Sequence, residues 1–267
     1  MNFNDHAAAH AKSNPAKAPS VFATQAHGRL SSRYQFISTL DMIQALDREG
    51  WLPVHAEESR VRVADRRGFS KHLLRFRRFD RQLPMVGDSF PEAVLVNSHD
   101  GSCCYQLHAG LFRLICSNGM VIADMDMGHI RRRHTGDALQ NIVEGTYEIV
   151  EALPAIAGKV EAFQRIELKP AEQEALAQAA LGLRWKDNQA PITPAQLLQA
   201  RRLEDRKDDL WTTYQRLQEN MLKGGQPGIG GTGRRLTTRA VKSVDGNVKL
   251  NQALWRLTER MAELKTA

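Results

Sequence analysis

Cysteine, aromatic residues and long apolar runs are scarce in this chain of 267 residues, and each shortage excludes something. The three cysteines, Cys103 and Cys104 side by side and Cys116 apart from them, make neither an even framework nor a Cys-x-x-Cys pair. Structural disulfides and a zinc site are therefore not expected, and the three are read as small buried hydrophobes. No stretch approaches the ~18 consecutive apolar residues of a membrane-spanning helix. Residues 1–28, rich in Ala, His, Ser and Pro, hold no apolar run long enough for a secretory signal, so a cytoplasmic protein is expected. Catalytic signatures are lacking as well: there is no Gly-Lys-Ser/Thr of a P-loop, no Gly-x-Ser-x-Gly elbow and no His-Glu-x-x-His helix. The chain reads as a binding protein more than as an enzyme, with no cofactor expected.

Positive charge is what the chain has in excess. Lys and Arg number 37 against 30 Asp and Glu, giving a formal net charge of +7 and a pI near 9.5. Such a balance favours an acidic partner, nucleic acid first, and speaks to association more than to fold. A membrane surface also carries negative charge, but no membrane partner is expected. With 42% hydrophobic and 25% charged residues the composition is that of an ordinary globular protein, enough for one large domain or two small ones.

The densest basic pattern lies between residues 58 and 80. Alternation along a strand puts Arg60 and Arg62 on one face of Glu58–Ala64, and Arg75 and Arg77 on one face of Lys71–Phe79. Asp65-Arg-Arg-Gly68 is a plausible turn, so the two segments read as a hairpin with like charges across from one another, a destabilising arrangement in isolation. Two readings follow. A polyanion lying on that face would relieve the repulsion, or carboxylates from elsewhere would leave it an ordinary charged surface.

Residues 1–28 read as a disordered lead-in. Thr39 is a good N-cap for a helix from Leu40 to Glu49, with Met42, Ile43 and Leu46 on one face and Gly50 as the stop. Strands are expected at about 51–64, 71–79 and 92–98, the last ending in the turn cluster Asn97-Ser-His-Asp-Gly-Ser102. The apolar stretch from Tyr105 to Ile122 is ambiguous. Gly110 argues for a strand, while Leu107, Leu111, Leu114 and Ile115 also fit a buried helical stripe. From Asp137, a candidate N-cap, helical periodicity dominates near 138–152, 155–166, 170–183, 194–203 and 208–222, with Thr193-Pro194 as an N-cap and first-turn pair. Six glycines between Gly224 and Gly233 have the composition of a flexible loop, and a last amphipathic helix is expected at 248–264 on Leu250, Leu254, Leu257, Met261 and Leu264. That helix either docks on its own domain or pairs with another subunit. The expected organisation is a disordered segment 1–28, an α+β core 29–223, a glycine-rich basic loop 224–247 and a C-terminal helix 248–267.

Gly228, Gly230 and Gly233 formally match G-x-G-x-x-G, but a helix precedes them and Arg234-Arg235 follow, where a dinucleotide fingerprint needs a strand before and an acid about twenty positions on. A basic arm fits better, since Arg234, Arg235, Arg239 and Lys242 trail the glycines with only Asp245 nearby; a plain flexible loop fits equally. Asp124, Asp126 and His129 are the best metal candidates, with Glu144 or Glu148 to complete an oxygen-rich shell for a nuclease, though short acidic pairs are common in loops. Arg131, Arg132 and Arg133 follow directly, as a salt-bridged surface or as phosphate contacts. Cys116 would be a nucleophile only with His108 or His129 brought near in space. Phe69, Phe76, Phe79 and Trp51 lie close to the basic hairpin and offer stacking surfaces for unpaired bases, with Phe76 more at home in the core.

Two stretches carry a family resemblance. Lys71-His72 with Leu-Leu-Arg75-Phe-Arg77, and Asn97-Ser-His-Asp-Gly-Ser102 with Leu111-Phe-Arg-Leu-Ile-Cys116-Ser117-Asn118-Gly119-Met120-Val121, resemble the phage- and plasmid-associated proteins grouped as domain of unknown function number 932. The Cys-Ser-Asn-Gly block is the specific part, and the resemblance covers about residues 34–223. It implies a mobile-element setting, in which DNA transfer, recombination or interference with host defence are plausible tasks, and it implies no catalytic residues. The order helix, Gly-Trp, basic hairpin, further strands and long helix is also similar to the core of single-strand annealing recombinases, at the level of fold alone.

The expected fold is thus α+β, an antiparallel sheet with a long basic hairpin packed against C-terminal helices. The expected function is non-enzymatic binding of DNA, preferably single-stranded, by Arg60, Arg62, Lys71, Arg75, Arg77 and Arg78, extended by Arg131, Arg132, Arg133, Arg234 and Arg235. Alternatives are a protein that blocks a host defence or recombination factor through an acidic surface, and a metal-dependent nuclease at Asp124 and Asp126. An annealing protein would also be expected to assemble with copies of itself.

Overall fold

The computed structural model describes residues 18–31, 34–80, 83–86, 89–113, 119–122, 130–132, 138–185 and 189–267, with the backbone alone at Arg113, Gly119–Ile122, Ile130–Arg132 and Ala138. The fold is α+β. It divides into two compact units, residues 1–114 with 121–153 and residues 115–120 with 154–267.

In the first unit, helix α1 (Thr39–Arg48) precedes strands β1 (Trp51–Glu58), β2 (His72–Arg78), β3 (Ser89–Asn97), β4 (Tyr105–Arg113) and, after β5 (Gly119–Ile122), which the division cuts after Met120, β6 (Ile130–Arg132). The strands form one sheet in the order β1-β2-β3-β4-β5, with β6 also paired to β4. The pairings of β1 with β2, β2 with β3, β3 with β4 and β4 with β6 are antiparallel. Helix α2 (Ala138–Arg165) runs from the first unit into the second, and the division falls at Pro154 inside it. Two separate helices are expected from sequence at 138–152 and 155–166, yet the chain stays helical through the proline.

Alternation settles the ambiguous segment as strand β4. Its register against β3 pairs Phe112 with Phe90, Gly110 with Glu92, Ala109 with Ala93, His108 with Val94 and Leu107 with Leu95. Tyr105, Leu107, Ala109 and Leu111 therefore share the face of Ala93 and Leu95, and through β2 that of Leu74 and Phe76. All are buried, together with Trp51 of β1 and with Met42 and Leu46 of α1. Each large side chain in this layer contributes about 1.5–3 kcal/mol of burial. The opposite face carries Arg75, Arg77, Phe90, Glu92, His108 and Phe112.

Three local expectations are corrected in this unit. The strand expected at 51–64 ends at Glu58, and Ser59–Lys71 is a connection containing a short 3-10 turn, Ala64–Arg66. Arg60 and Arg62 are thus not part of a strand ladder. The N-cap of α1 is Ser38, whose hydroxyl accepts from the Asp41 amide at 3.2 Å, leaving Thr39 to turn inward. Residues 18–28, expected to be disordered, pack on the sheet. Pro19–Phe22 is a 3-10 turn, Ala18, Ser20 and Val21 are buried, and the His27 amide donates to the His99 carbonyl at 2.9 Å.

The second unit contains α3 (Pro170–Arg184), the four-residue α4 (Pro194–Leu197), α5 (Leu210–Lys223), strands β7 (Pro227–Ile229) and β8 (Arg235–Thr237), and α6 (Val244–Thr266). The helix expected at 194–203 thus stops at Leu197. Helix α5 is buried from Leu210 to Leu222 on all faces, capped by Asp209, whose carboxylate accepts from the Thr212 amide at 2.8 Å. Trp211 stacks on Tyr214, which meets Trp255 of α6 edge-on, and Phe163 packs on the same indole. Helix α6 begins at Val244, earlier than expected, and buries Val248, Asn251, Leu254, Trp255 and Thr258; Leu264 of the expected stripe is 62% exposed. The helix docks within its own unit, tied by Lys159 to Glu259 at 2.6 Å and by Lys265 to Glu172 at 2.9 Å.

The segment expected to be a loop at 224–233 forms a β-hairpin with the residues that follow it. Pro227 pairs with Thr237, Gly228 with Leu236 and Ile229 with Arg235, and Gly233 takes a left-handed φ of 75° in the turn. Its base is anchored by Asn220 of α5. The Asn220 Oδ1 accepts from Gln226 Nε2 at 2.9 Å and from Arg201 Nε at 2.6 Å, while its Nδ2 donates to the carbonyls of Leu197 and Gln199. No helix among the described residues is long and apolar enough to cross a membrane.

Candidate nucleic-acid interface

The basic residues singled out in the sequence fall into four settings. Arg75 and Arg77 do lie on one face of β2, but their cross-strand neighbours in β1 are His55 and Leu52, so no arginine opposes another. Both converge instead on Glu92 of β3. Arg75 Nε donates to one carboxylate oxygen at 2.6 Å, and Arg77 donates to the other from Nη2 at 2.5 Å and from Nε at 3.1 Å. Phe90 and Phe112, register partners across β3 and β4, lie beside this group. The Arg75 guanidinium carbon sits 3.5 Å from the Phe112 ring centroid and that of Arg77 4.3 Å from the Phe90 centroid. Glu92 is wholly buried and the two arginines nearly so. Of the two readings open at sequence level, internal relief by a carboxylate is what the geometry of this pair displays. Arg78, at the strand end, makes a two-bond contact with Asp80 at 2.8 and 3.1 Å.

The connection Ser59–Lys71 is the second setting. It carries Arg60, Arg62, Arg66, Arg67 and Lys71 against one carboxylate, Asp65, which lies 3.6 Å from His27. Arg60, Arg62 and Arg67 are exposed, as is the apolar Val63, and no ion pair involves these three arginines among the described residues. Two backbone bonds hold the connection: the Ser59 amide donates to the Lys71 carbonyl at 2.7 Å and the His99 amide to that of Phe69 at 2.9 Å. Arg66 and Arg67 belong to this patch, although the Asp-Arg-Arg-Gly run reads in sequence as a mere turn.

The third setting is the hairpin β7–β8, where Arg234 and Arg235 are exposed together with Arg239 and Lys242. The fourth is strand β6, which gives only a register: Arg131 opposite Gln106 and Arg132 opposite Tyr105. Arg133, the candidate metal residues Asp124, Asp126 and His129, and Cys116, Ser117 and Asn118 of the family block lie outside the described residues. Among the described residues no group of three or more metal-binding side chains occurs.

Sequence reasoning missed a polar cluster on the core face of the sheet. Thr39 Oγ1 lies 2.9 Å from His72 Nε2, 3.0 Å from His99 Nε2 and 3.1 Å from Asn97 Nδ2, and all four residues are fully buried. His72 Nδ1 faces the Ser70 carbonyl at 3.0 Å, so the proton sits on Nδ1 and Nε2 accepts from the threonine hydroxyl. The hydroxyl then accepts from Asn97 and from a protonated His99 Nε2, which saturates it. Burial holds the His72 pKa below its ordinary value, against the opposing pull of the Ser70 carbonyl and of Glu58. The signal in sequence was the turn cluster beginning at Asn97, which supplies two of the four members. Nearby, Arg29 donates to the Asp100 carbonyl at 2.7 Å and Tyr34 to that of Ser98 at 3.0 Å, so both side chains reach this turn.

A single antiparallel sheet with a buried histidine cluster, an arginine-rich connection between its first two strands and a helical unit bearing a basic hairpin define an α+β protein with no recognisable catalytic constellation among the described residues. The chain belongs to the family described as a domain of unknown function, DUF932, whose family model matches residues 26–255. It is 44% identical over 243 residues to the UPF0380 protein YafZ of Escherichia coli (strain K12), covering 91% of this chain and 88% of that protein. The UPF0380 protein YfjQ of the same organism is 43% identical over 243 residues, with the same coverage. No solved structure matches.

Proposed function

We propose that the protein binds DNA without catalysing a reaction on it, gripping the phosphate backbone with the arginines of the connection Ser59–Lys71. The observation that carries this reading is the charge of that connection: five basic residues stand against one carboxylate, and the exposed Arg60, Arg62 and Arg67 have no ion pair among the described residues. Flexible exposed guanidiniums of this kind position a nucleic-acid backbone and carry no base code of their own. Arg234 and Arg235, exposed on the hairpin of the second unit, offer a further set of guanidiniums for phosphates. Arg75 and Arg77 support the sheet that carries the connection, because Glu92 and two phenyl rings occupy their guanidinium groups.

The family resemblance adds a plasmid or phage setting, in which such a protein serves transfer or recombination of single-stranded DNA. The test is equilibrium binding of the full chain to single-stranded and duplex oligonucleotides of equal length over a salt series. Affinity that falls steeply with salt supports the reading, since each neutralised phosphate releases condensed counterions. Absence of binding at low salt overturns it, and an acidic protein partner then becomes the reading to pursue.

A further inference from the structure

We infer that the second unit holds a site for one unpaired nucleobase, in the groove between the hairpin β7–β8 and residues 190–196, with the adjoining phosphates on Arg234 and Arg235. The inference rests on the DNA-binding reading and names what that reading leaves open, a reason to prefer single strands.

The groove is open and has a volume of about 560 Å³, within the ~300–1,000 Å³ usual for ligand clefts. Its walls are mainly apolar and come from Pro191, Ile192, Pro227, Ile229 and Leu236, with Arg235 at the rim. The hairpin is seated close against the opposite wall. The Ile229 amide donates to the Pro191 carbonyl at 2.8 Å, and a Cβ at Gly228 would stand 2.2 Å from that carbonyl oxygen, so only glycine allows the approach.

Ile229 and Leu236, both lining the groove, are 63% and 40% exposed and so leave apolar surface open to a flat ligand. The charge around them selects the occupant. Arg234, Arg235, Arg239 and Lys242 are exposed, and no carboxylate occurs between Glu219 and Asp245. A ligand that joins a flat apolar ring to a negative group within one sugar's length meets both demands, and a nucleotide of a DNA strand is such a ligand. The base must be unpaired, because stacking and pairing in a duplex cover both its faces and its edge.

The groove also predicts tolerance of sequence. Gln196, its amide-bearing wall residue, is already engaged: its Oε1 accepts from the Thr193 amide at 3.0 Å and its Nε2 donates to the Pro227 carbonyl at 2.7 Å. The base is then held by its face, a mode available to every base.

The experiment measures binding of the full chain to three labelled probes of equal length: a thymidine single strand, a fully abasic strand with the same sugar-phosphate backbone, and a duplex. The parent is compared with Ile229→Ser/Leu236→Ser, two exposed positions whose replacement spares the core, with circular dichroism as the check of fold. The expected result is about tenfold weaker binding of the thymidine strand by the variant, with the abasic strand and the duplex unchanged. Equal parent affinity for the thymidine and abasic strands, or an unaffected variant, overturns the base site while leaving DNA binding standing. Failure of the parent to bind any probe overturns the DNA-binding reading and the base site with it.

Discussion

Thr39 donates its hydroxyl proton to His72 across 2.9 Å of fully buried space, joining the first turn of α1 to the start of β2. A threonine in that position would ordinarily be read as a helix cap. Here Ser38 caps the helix, and Thr39 is the hub on which two histidines and an asparagine converge.

Replacement of Thr39 by valine keeps the volume and removes the hub. His72, His99 and Asn97 each lose a partner in a dry site, where an unmet polar group costs about 1–3 kcal/mol. The expected loss of stability is on the order of 3 kcal/mol or more by urea denaturation, whereas Thr39→Ser retains most of it.

Acid should weaken the same site. His72 is held below its ordinary pKa of 6.5 by burial, so the unfolded chain takes up its proton first as pH falls. Stability therefore rises with pH between the folded and unfolded values, is fully present above 6.5 and is lost progressively below it. Urea midpoints at pH 7.5 and pH 5.5, read for the parent and for His72→Gln, check this. The variant is expected to be less stable throughout and to show a smaller fall on acidification.

Among the described residues, Glu92 is the carboxylate joined to both Arg75 and Arg77. Glu92→Gln leaves two guanidiniums in a nearly closed site with no anionic partner, and breaking a buried ion pair in this way costs about 3–5 kcal/mol. Thermal or chemical denaturation shows the effect. Arg75→Ala and Arg77→Ala should likewise lower stability, so a loss of DNA affinity in those variants would not by itself mark a contact.

Gly228→Ala should lift the hairpin from residues 190–192, because the new methyl group would overlap the Pro191 carbonyl oxygen. The expected sign is faster hydrogen exchange at the Ile229 amide, which bonds that carbonyl. Gly231→Ala is the control, since a Cβ there meets nothing within 4 Å.

Patterns of period two and 3.6 carried most of the fold. The face of β2 that buries Leu74 and Phe76 follows from alternation and the approximate extents of α3 and α5 from helical periodicity, whereas the first half of Tyr105–Ile122 reads as strand or helix until its register against β3 makes it β4. Four features escaped for definite reasons. Arg60 and Arg62 alternate like strand residues, but the strand had already ended at Glu58, and alternation does not reveal where pairing stops. The glycines at 224–233 have the composition of a loop, yet Pro227–Ile229 and Arg235–Thr237 pair, with the Pro191 carbonyl holding the Ile229 amide, a contact distant in sequence. Pro154 suggested a helix break that the surrounding helix overrode. Glu92 stands as a lone acid in an apolar strand, Phe90-Pro-Glu-Ala-Val-Leu-Val96, but its meeting with Arg75 and Arg77 depends on the pairing of β2 with β3, which sequence alone does not give.

The most direct test of DNA binding by the connection Ser59–Lys71 is fluorescence anisotropy with labelled single-stranded DNA over a salt series, comparing the parent with Arg60→Ala/Arg62→Ala/Arg67→Ala. All three positions are exposed, so the fold should be spared. The account predicts weaker binding to every sequence alike and a log-log salt slope shallower by about 2, from three lost phosphate contacts at ~0.7 each on single strands. Unchanged affinity and slope in the triple variant would contradict it.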